Sequence, residues 1–137
     1  MWNRFAVNGA NLQDVTIDSN IVIAFLGGEP SVIQALTNLR ELGTPLILPT
    51  IVEAEILSFS LMTKAEREKT ILFLEENFSS VAFDRTTARL AGAIRSKTKI
   101  KLPDAIIAAT SILMHSPLIT RNIRDFKRVE GLQIIEL

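Results

Sequence analysis

From Val15 onward the chain repeats one alternation, a short apolar run followed by a turn signal and a capped helical segment. Val15–Ile17, Pro45–Leu48, Ser80–Phe83, Leu118–Thr120 and Gln133–Glu136 read as short strands. Between them, a helix is expected from about Asn20 to the Gly27-Gly28 pair. Another covers Val32–Leu42, capped by Ser31 and ended by Gly43. Further helices are expected from about Thr50 to Leu61, over Lys64–Asn77 behind a Thr63 cap, and over Thr86–Lys97. The last two run from Pro103 to His115 and near Ile123–Arg128. Short strands separated by helices imply a sheet covered on both faces. The expected fold is therefore α/β: a three-layer sandwich whose central, mainly parallel sheet has about five short strands flanked by helices.

A chain of 137 residues with 47% hydrophobic and 22% charged side chains is expected to form one domain, 1–137, with a buried core. Residues 1–14 carry no clear pattern and are expected to form an N-terminal arm or edge element. The absence of cysteine excludes disulfides and thiolate metal sites and is compatible with a reducing cytoplasm. Ile21–Leu26, the longest apolar run, is too short to span a bilayer, and Met1-Trp2-Asn3-Arg4 does not open a signal peptide. A cytoplasmic protein without membrane contact is expected.

Four stretches deliver an acid where a strand gives way to a loop or helix. They are Ile17-Asp18-Ser19-Asn20, Glu53-Ala54-Glu55-Ile56, Pro103-Asp104-Ala105, and Thr120-Arg121-Asn122-Ile123-Arg124-Asp125-Phe126. A parallel sheet gathers its strand ends along one edge, where such folds bind ligands. Carboxylates collected there, with no cysteine and one histidine in the chain, suit hard divalent cations such as Mg²⁺ or Mn²⁺. Metal-assisted phosphodiester chemistry is the reading this suggests.

Each acid also has a local explanation. Asp18 is a good helix N-cap. Glu53 and Glu55 point about 200° apart on a helix, so only one can enter a site, and periodicity does not choose between them. Asp104 lies in a first helical turn, where the macrodipole favours acids, although the apolar run Ala105–Ala109 opens its helix on the sheet edge. Asn122 and Asp125 have the spacing of a capping box. For His115, beside Ser116-Pro117, a C-terminal cap is the better account. The pairs Glu66/Glu68 and Glu75/Glu76 read as solvated helix faces. No Gly-x-Gly-x-x-Gly, P-loop or Gly-x-Ser-x-Gly motif is present.

Charge is unevenly spread. Arg95 to Arg128 holds eight basic residues against Asp104 and Asp125, a net +6, so the rest of this neutral chain carries −6. A basic rim of Lys97, Lys99, Lys101, Arg121 and Arg124 around an acidic centre suits a nuclease, and a solvated face explains it equally well.

Taken in order from Val15 to Leu137, the motifs Ile-Asp-Ser-Asn-Ile, Glu-Ile-Leu-Ser, Leu-Pro-Asp-Ala-Ile-Ile-Ala-Ala-Thr and Thr-Arg-Asn-x-x-Asp-Phe resemble those of PIN-domain proteins. Within that family they look most like VapC-type ribonuclease toxins of toxin–antitoxin pairs. The resemblance implies Asp18, Glu55, Asp104 and Asp125 as catalytic and metal-binding residues around Mg²⁺ or Mn²⁺. It favours Glu55 over Glu53, because the family's acid directly precedes the apolar pair matched by Ile56-Leu57. Asn122, Ser19 and Thr120 are the supporting polar groups, and Asn122 can share or replace Asp125 as fourth ligand. The family's first acid usually lies nearer the start, so the segment before Asp18 is a departure. An RNA substrate, a small antitoxin and a homodimer are implied, and the apolar stretches Ile21–Leu26 and Val32–Leu42 read either as docking surfaces or as core. The four acids are expected to meet in one polar pocket, with Glu53 facing elsewhere. The other readings are a catalytically inactive PIN-like RNA- or protein-binding module and a small-molecule phosphohydrolase.

Overall fold

A computed structural model describes residues 13–137. Most of the expected arm, residues 1–12, lies outside the described residues. Five strands form one sheet: β1 (Val15–Ile17), β2 (Leu46–Pro49), β3 (Ser79–Val81), β4 (Leu118–Thr120) and β5 (Ile134–Glu136). Their order is β3-β2-β1-β4-β5, and every neighbouring pair is parallel. The helices are α1 (Ser19–Leu26), α2 (Pro30–Glu41), α3 (Thr50–Leu57), α4 (Lys64–Asn77), α5 (Arg85–Thr98), α6 (Leu102–Leu113) and α7 (Ile123–Phe126).

The strand order fixes where a site can lie. From central β1 the chain builds outward through β2 and β3, then returns to lay β4 and β5 on the other side. Strand order thus reverses between β1 and β4, and a crevice opens beyond their carboxyl ends. Helix α6 backs this centre. Its residues from Ala105 to Ser111 are all buried, and it packs on β1, α3 and α5. Continuous burial explains its run of alanines and isoleucines, since a helix covered all round has no polar face. Phe126, wholly buried, pins the single turn of α7 under the sheet edge. Burying such a ring stabilises by about 1.5–3 kcal/mol.

Helix ends depart from the sequence expectation where side chains intervene. Helix α2 starts at Pro30, behind Glu29 rather than Ser31, because proline suits a first-turn position that needs no N–H partner. Helix α3 stops at Leu57, short of Leu61. The Ser58 hydroxyl turns back to the Glu55 carbonyl at 2.7 Å, and Arg67 donates to the Leu57 carbonyl at 2.5 Å. Phe59 and Leu61, 62% and 82% exposed, offer no buried face on which to continue it. His115 does close a helix. It adopts φ 50°, with its N–H on Ile112 and that of Ser116 on Ser111, the paired bonds of a Schellman turn.

The expected docking stretches are part core and part surface. Ile21, Val22, Val32, Ala35, Leu36 and Leu39 are buried, whereas Ile23, Leu26 and Leu42 remain exposed. No described helix is long and apolar enough to cross a membrane.

Candidate metal centre

Strand β1 ends in Asp18, which is 3% exposed. Its Oδ1 accepts the Ser19 N–H at 2.8 Å and the Ser19 hydroxyl at 3.4 Å. Its Oδ2 accepts the Thr120 hydroxyl at 2.6 Å and Asn20 Nδ2 at 3.1 Å. The residue therefore caps α1 and also faces the crevice, so the capping and site readings hold together. Burial raises its carboxyl above the ordinary 3.8, and the bonds from Thr120, Ser19 and Asn20 draw it back.

Thr120, fully buried at the end of β4, joins the two halves of the site. Besides donating to Asp18, its oxygen accepts the Asn122 N–H at 2.9 Å and lies 3.4 Å from Asn20 Nδ2. The Asn122 side chain does not cap α7. It donates to Asp125 Oδ2 at 3.1 Å, so the capping box expected there is replaced by a bond that orients an acid.

Glu55 reaches the same crevice from α3, which packs against α1 and α6. Val52 and Ile56 are the buried residues of α3. At about 100° per residue, Glu53 and Glu55 flank that face on opposite sides, which is why periodicity could not separate them. The surrounding protein, then the charges of Asp18 and Asp104, push the Glu55 carboxyl up, partly offset by Ser19. Asp104, half-buried in the first turn of α6, is raised from 3.8 to about 6. Burial is the main cause, followed by the charges of Asp18 and Asp125, with Lys101 opposing them. The charge of Asp18 thus acts on both Glu55 and Asp104, that of Asp125 acts on Asp104, and Glu53 is not among the charges acting on either.

This arrangement is open. Among the described residues, no three Asp, Glu, His or Cys side chains are drawn together closely enough to enclose an ion as they stand. In chemistry the donors fit a hard divalent cation, being all-oxygen and anionic, and their mutual repulsion is what a bound cation relieves. A hollow of about 340 Å³ lies at the opposite edge of the sheet, lined by Gln13, Ser111, His115, Ser116 and Gln133, and contains none of the four acids.

The family model of the PIN domain matches residues 15–132. The chain belongs to the PIN-domain family. Ribonuclease VapC19 of Mycobacterium tuberculosis is 32% identical over 125 residues, covering 85% of this chain and 95% of that protein. A chain in a toxin-antitoxin complex from Klebsiella pneumoniae is 30% identical, with a TM-score of 0.74, covering 89% of this chain and 96% of that one. A chain of VapBC2 from Rickettsia felis, bound to a promoter DNA fragment, aligns over 91% of this chain and 99% of its own length. Its TM-score is 0.79 at 20% identity, a likeness of fold.

On this PIN fold the basic residues are exposed but not equivalent. Lys97 is bonded to Glu130 at 3.0 Å. Arg121 forks onto Glu29. Lys99, Lys101 and Arg124 form no ion pair among the described residues. Buried Ile100 anchors the loop between Lys99 and Lys101, leaving both lysines in solvent. Sequence reasoning missed two residues here, Asn20 and Glu29. Asn20 binds Asp18 through Nδ2 and accepts the Arg121 N–H at 3.3 Å through Oδ1. Its position two residues after the first acid was the available signal.

Proposed function

We propose that this chain is an endoribonuclease of the VapC type, the toxin of a toxin–antitoxin pair, which hydrolyses RNA phosphodiesters with Mg²⁺ or Mn²⁺. The observation that carries this reading is the crevice between β1 and β4, where Thr120 holds Asp18, Asn122 holds Asp125, and the charges of both acids act on Asp104. The ribonuclease relative and the toxin-antitoxin neighbour, each at 30% identity or more, agree with it.

A bound divalent cation supplies an acidified water and stabilises charge on the phosphate and leaving oxygen. Asp18 and Asp104 are its principal holders in this proposal, with Glu55 and Asp125 completing the set or orienting the water. Ser19, Thr120 and Asn122 orient these carboxylates. Lys99, Lys101, Arg124, Arg121 and Lys97 hold the RNA backbone, which positions the strand without specifying its sequence. An open acidic edge suits a polymer better than a small phosphoester, which needs an enclosing pocket.

The partner is a small antitoxin. Beside exposed Ile23 and Leu26, a groove of about 280 Å³ is lined by Phe25, Leu26, Lys69, Thr70 and Phe73. It offers an apolar seat for a partner helix, in place of the α2 residues that the core has taken. Cleavage of a single-stranded RNA by the purified chain, with EDTA, with Mg²⁺ and as Asp104→Asn, tests the catalytic reading. Wild-type cleavage rates in Asp104→Asn overturn the acid assignment. Arrested growth on expression, relieved by the antitoxin, tests the toxin role.

A further inference from the structure

Glu29 is an unusual residue for the place it holds. It occupies the N-cap position of α2, where Ser, Thr, Asp or Asn normally accept a backbone N–H, yet its carboxylate makes no cap bond. Its backbone is nevertheless fixed from both sides. The Glu29 N–H bonds the Ala24 carbonyl at 3.0 Å, closing α1 over Gly28 at φ 80°, and its own carbonyl accepts Ile33 at 3.0 Å to open α2. The carboxylate is therefore held out at a defined place, where it accepts the Ser31 hydroxyl at 3.5 Å and meets Arg121.

Arg121 is equally well placed. It follows Thr120, whose hydroxyl holds Asp18, and Asn20 accepts its N–H. Nη1 donates to Glu29 Oε2 at 2.9 Å and Nη2 donates to Oε1, so both terminal nitrogens of the guanidinium are engaged. The side chains remain 37% and 40% exposed. An exposed pair is weak and exchangeable, and a phosphodiester offers the same two-oxygen face to the same fork. A carboxylate on the rim also repels an incoming polyanion.

We propose that Glu29 is an intramolecular competitor for RNA: it occupies the Arg121 fork in the free protein and is displaced when a backbone phosphate binds there. This rests on the ribonuclease reading and adds a residue that sets how tightly substrate is held. The merely structural account, a loop-to-loop ion pair, predicts no gain in RNA binding when Glu29 is removed.

The test titrates a fluorescent single-stranded RNA into the Asp104→Asn protein at several salt concentrations. The same titration is made with Glu29→Gln, Arg121→Ala, and both together in that background. Glu29→Gln is expected to tighten binding roughly three- to fivefold, the size of an exposed ion pair. Its log–log salt slope is expected to match that of Asp104→Asn alone, because the same phosphate contact forms once Glu29 is displaced. Arg121→Ala is expected to abolish that gain. Glu29→Ala, which leaves no amide to bond the arginine, is expected to give the same direction. Unchanged or weaker binding in both Glu29 variants overturns the proposal, as does a gain that persists without Arg121. If the wild type cleaves no RNA and the Asp104→Asn protein binds none, the ribonuclease reading itself falls.

Discussion

The Thr120 hydroxyl lies 2.6 Å from Asp18 Oδ2 across 102 residues of chain, joining the ends of two adjacent parallel strands. The same oxygen accepts the Asn122 N–H, so one buried atom sets both the first acid and the loop that carries Asp125. Thr120→Val keeps the shape and removes the hydroxyl. Asp18 then loses a donor and the Asn122 N–H its acceptor, and a buried group left unpaired costs about 1–3 kcal/mol. A lower urea midpoint and slower RNA cleavage are expected. Wild-type values for both would remove Thr120 from the site.

Asp104 makes the metal-free protein pH-sensitive in a definite direction. Its folded-state carboxyl titrates at about 6 rather than 3.8, so the folded state holds the proton more tightly than the unfolded chain. The stabilising contribution is full below about pH 3.8 and is lost as pH rises through about 6. Asp104→Asn cannot ionise. In EDTA its melting temperature is expected to exceed that of the wild type above pH 6 by a few degrees, with a flatter profile below. Parallel melting curves for the two proteins from pH 4 to pH 8 count against the shared field.

Divalent ions reverse that order. A ligand at about a hundred times its dissociation constant adds about 2.7 kcal/mol to the state that binds it. Mg²⁺ or Mn²⁺ is therefore expected to raise the wild-type melting temperature markedly and that of Asp104→Asn much less. Equal shifts in both proteins would place the ion elsewhere.

Glu53 and Glu55 give an internal control. Glu55→Gln is expected to slow cleavage by at least tenfold, and Glu53→Gln to leave it within about twofold, since only Glu55 shares the field of Asp18 and Asp104. Initial rates on one RNA decide this. The reverse ranking would exchange their roles.

Lys99 and Lys101 stand on either side of buried Ile100, and both remain in solvent. Their joint replacement by Ala is expected to flatten the log–log salt dependence of RNA affinity by about 0.7 for each lost phosphate contact. Affinity is expected to fall similarly across RNA sequences. Fluorescence anisotropy measures this, and an unchanged slope marks the lysines as a solvated face.

What could be read in the sequence followed from local chemistry. Thr63 before Lys64 announced α4, and the apolar runs marked the five strands. The cap of α5 was missed: Asp84 accepts both the N–H and the hydroxyl of Thr87, and no Glu or Gln three residues on completes a capping box to mark it. The end of α3 depends on Arg67, ten residues further on. Within the site, Asp18, Glu55 and Asp125 follow strand ends, where topology concentrates ligand chemistry, but Asp104 follows helix α5 and lies in the first turn of α6, so no strand end announces it. Glu29 did not, because its bond to Arg121 spans 92 residues and no short window contains both. Glu53 against Glu55 was undecidable for a different reason, since two side chains flanking one buried face are equivalent until the neighbouring helices are placed.

The central position of β1 also governs when the centre comes into being. Among the described strands β1 is synthesised first, but its β4 neighbour lies about a hundred residues downstream, and Asp18 waits on Thr120 for its shortest bond. Pairing across so long a stretch closes late, after the local helices have formed. A growing chain on the ribosome therefore exposes the α1 and α4 surfaces while the Asp18 and Thr120 halves of the crevice are still apart. The crevice is complete only once β4 has paired with β1.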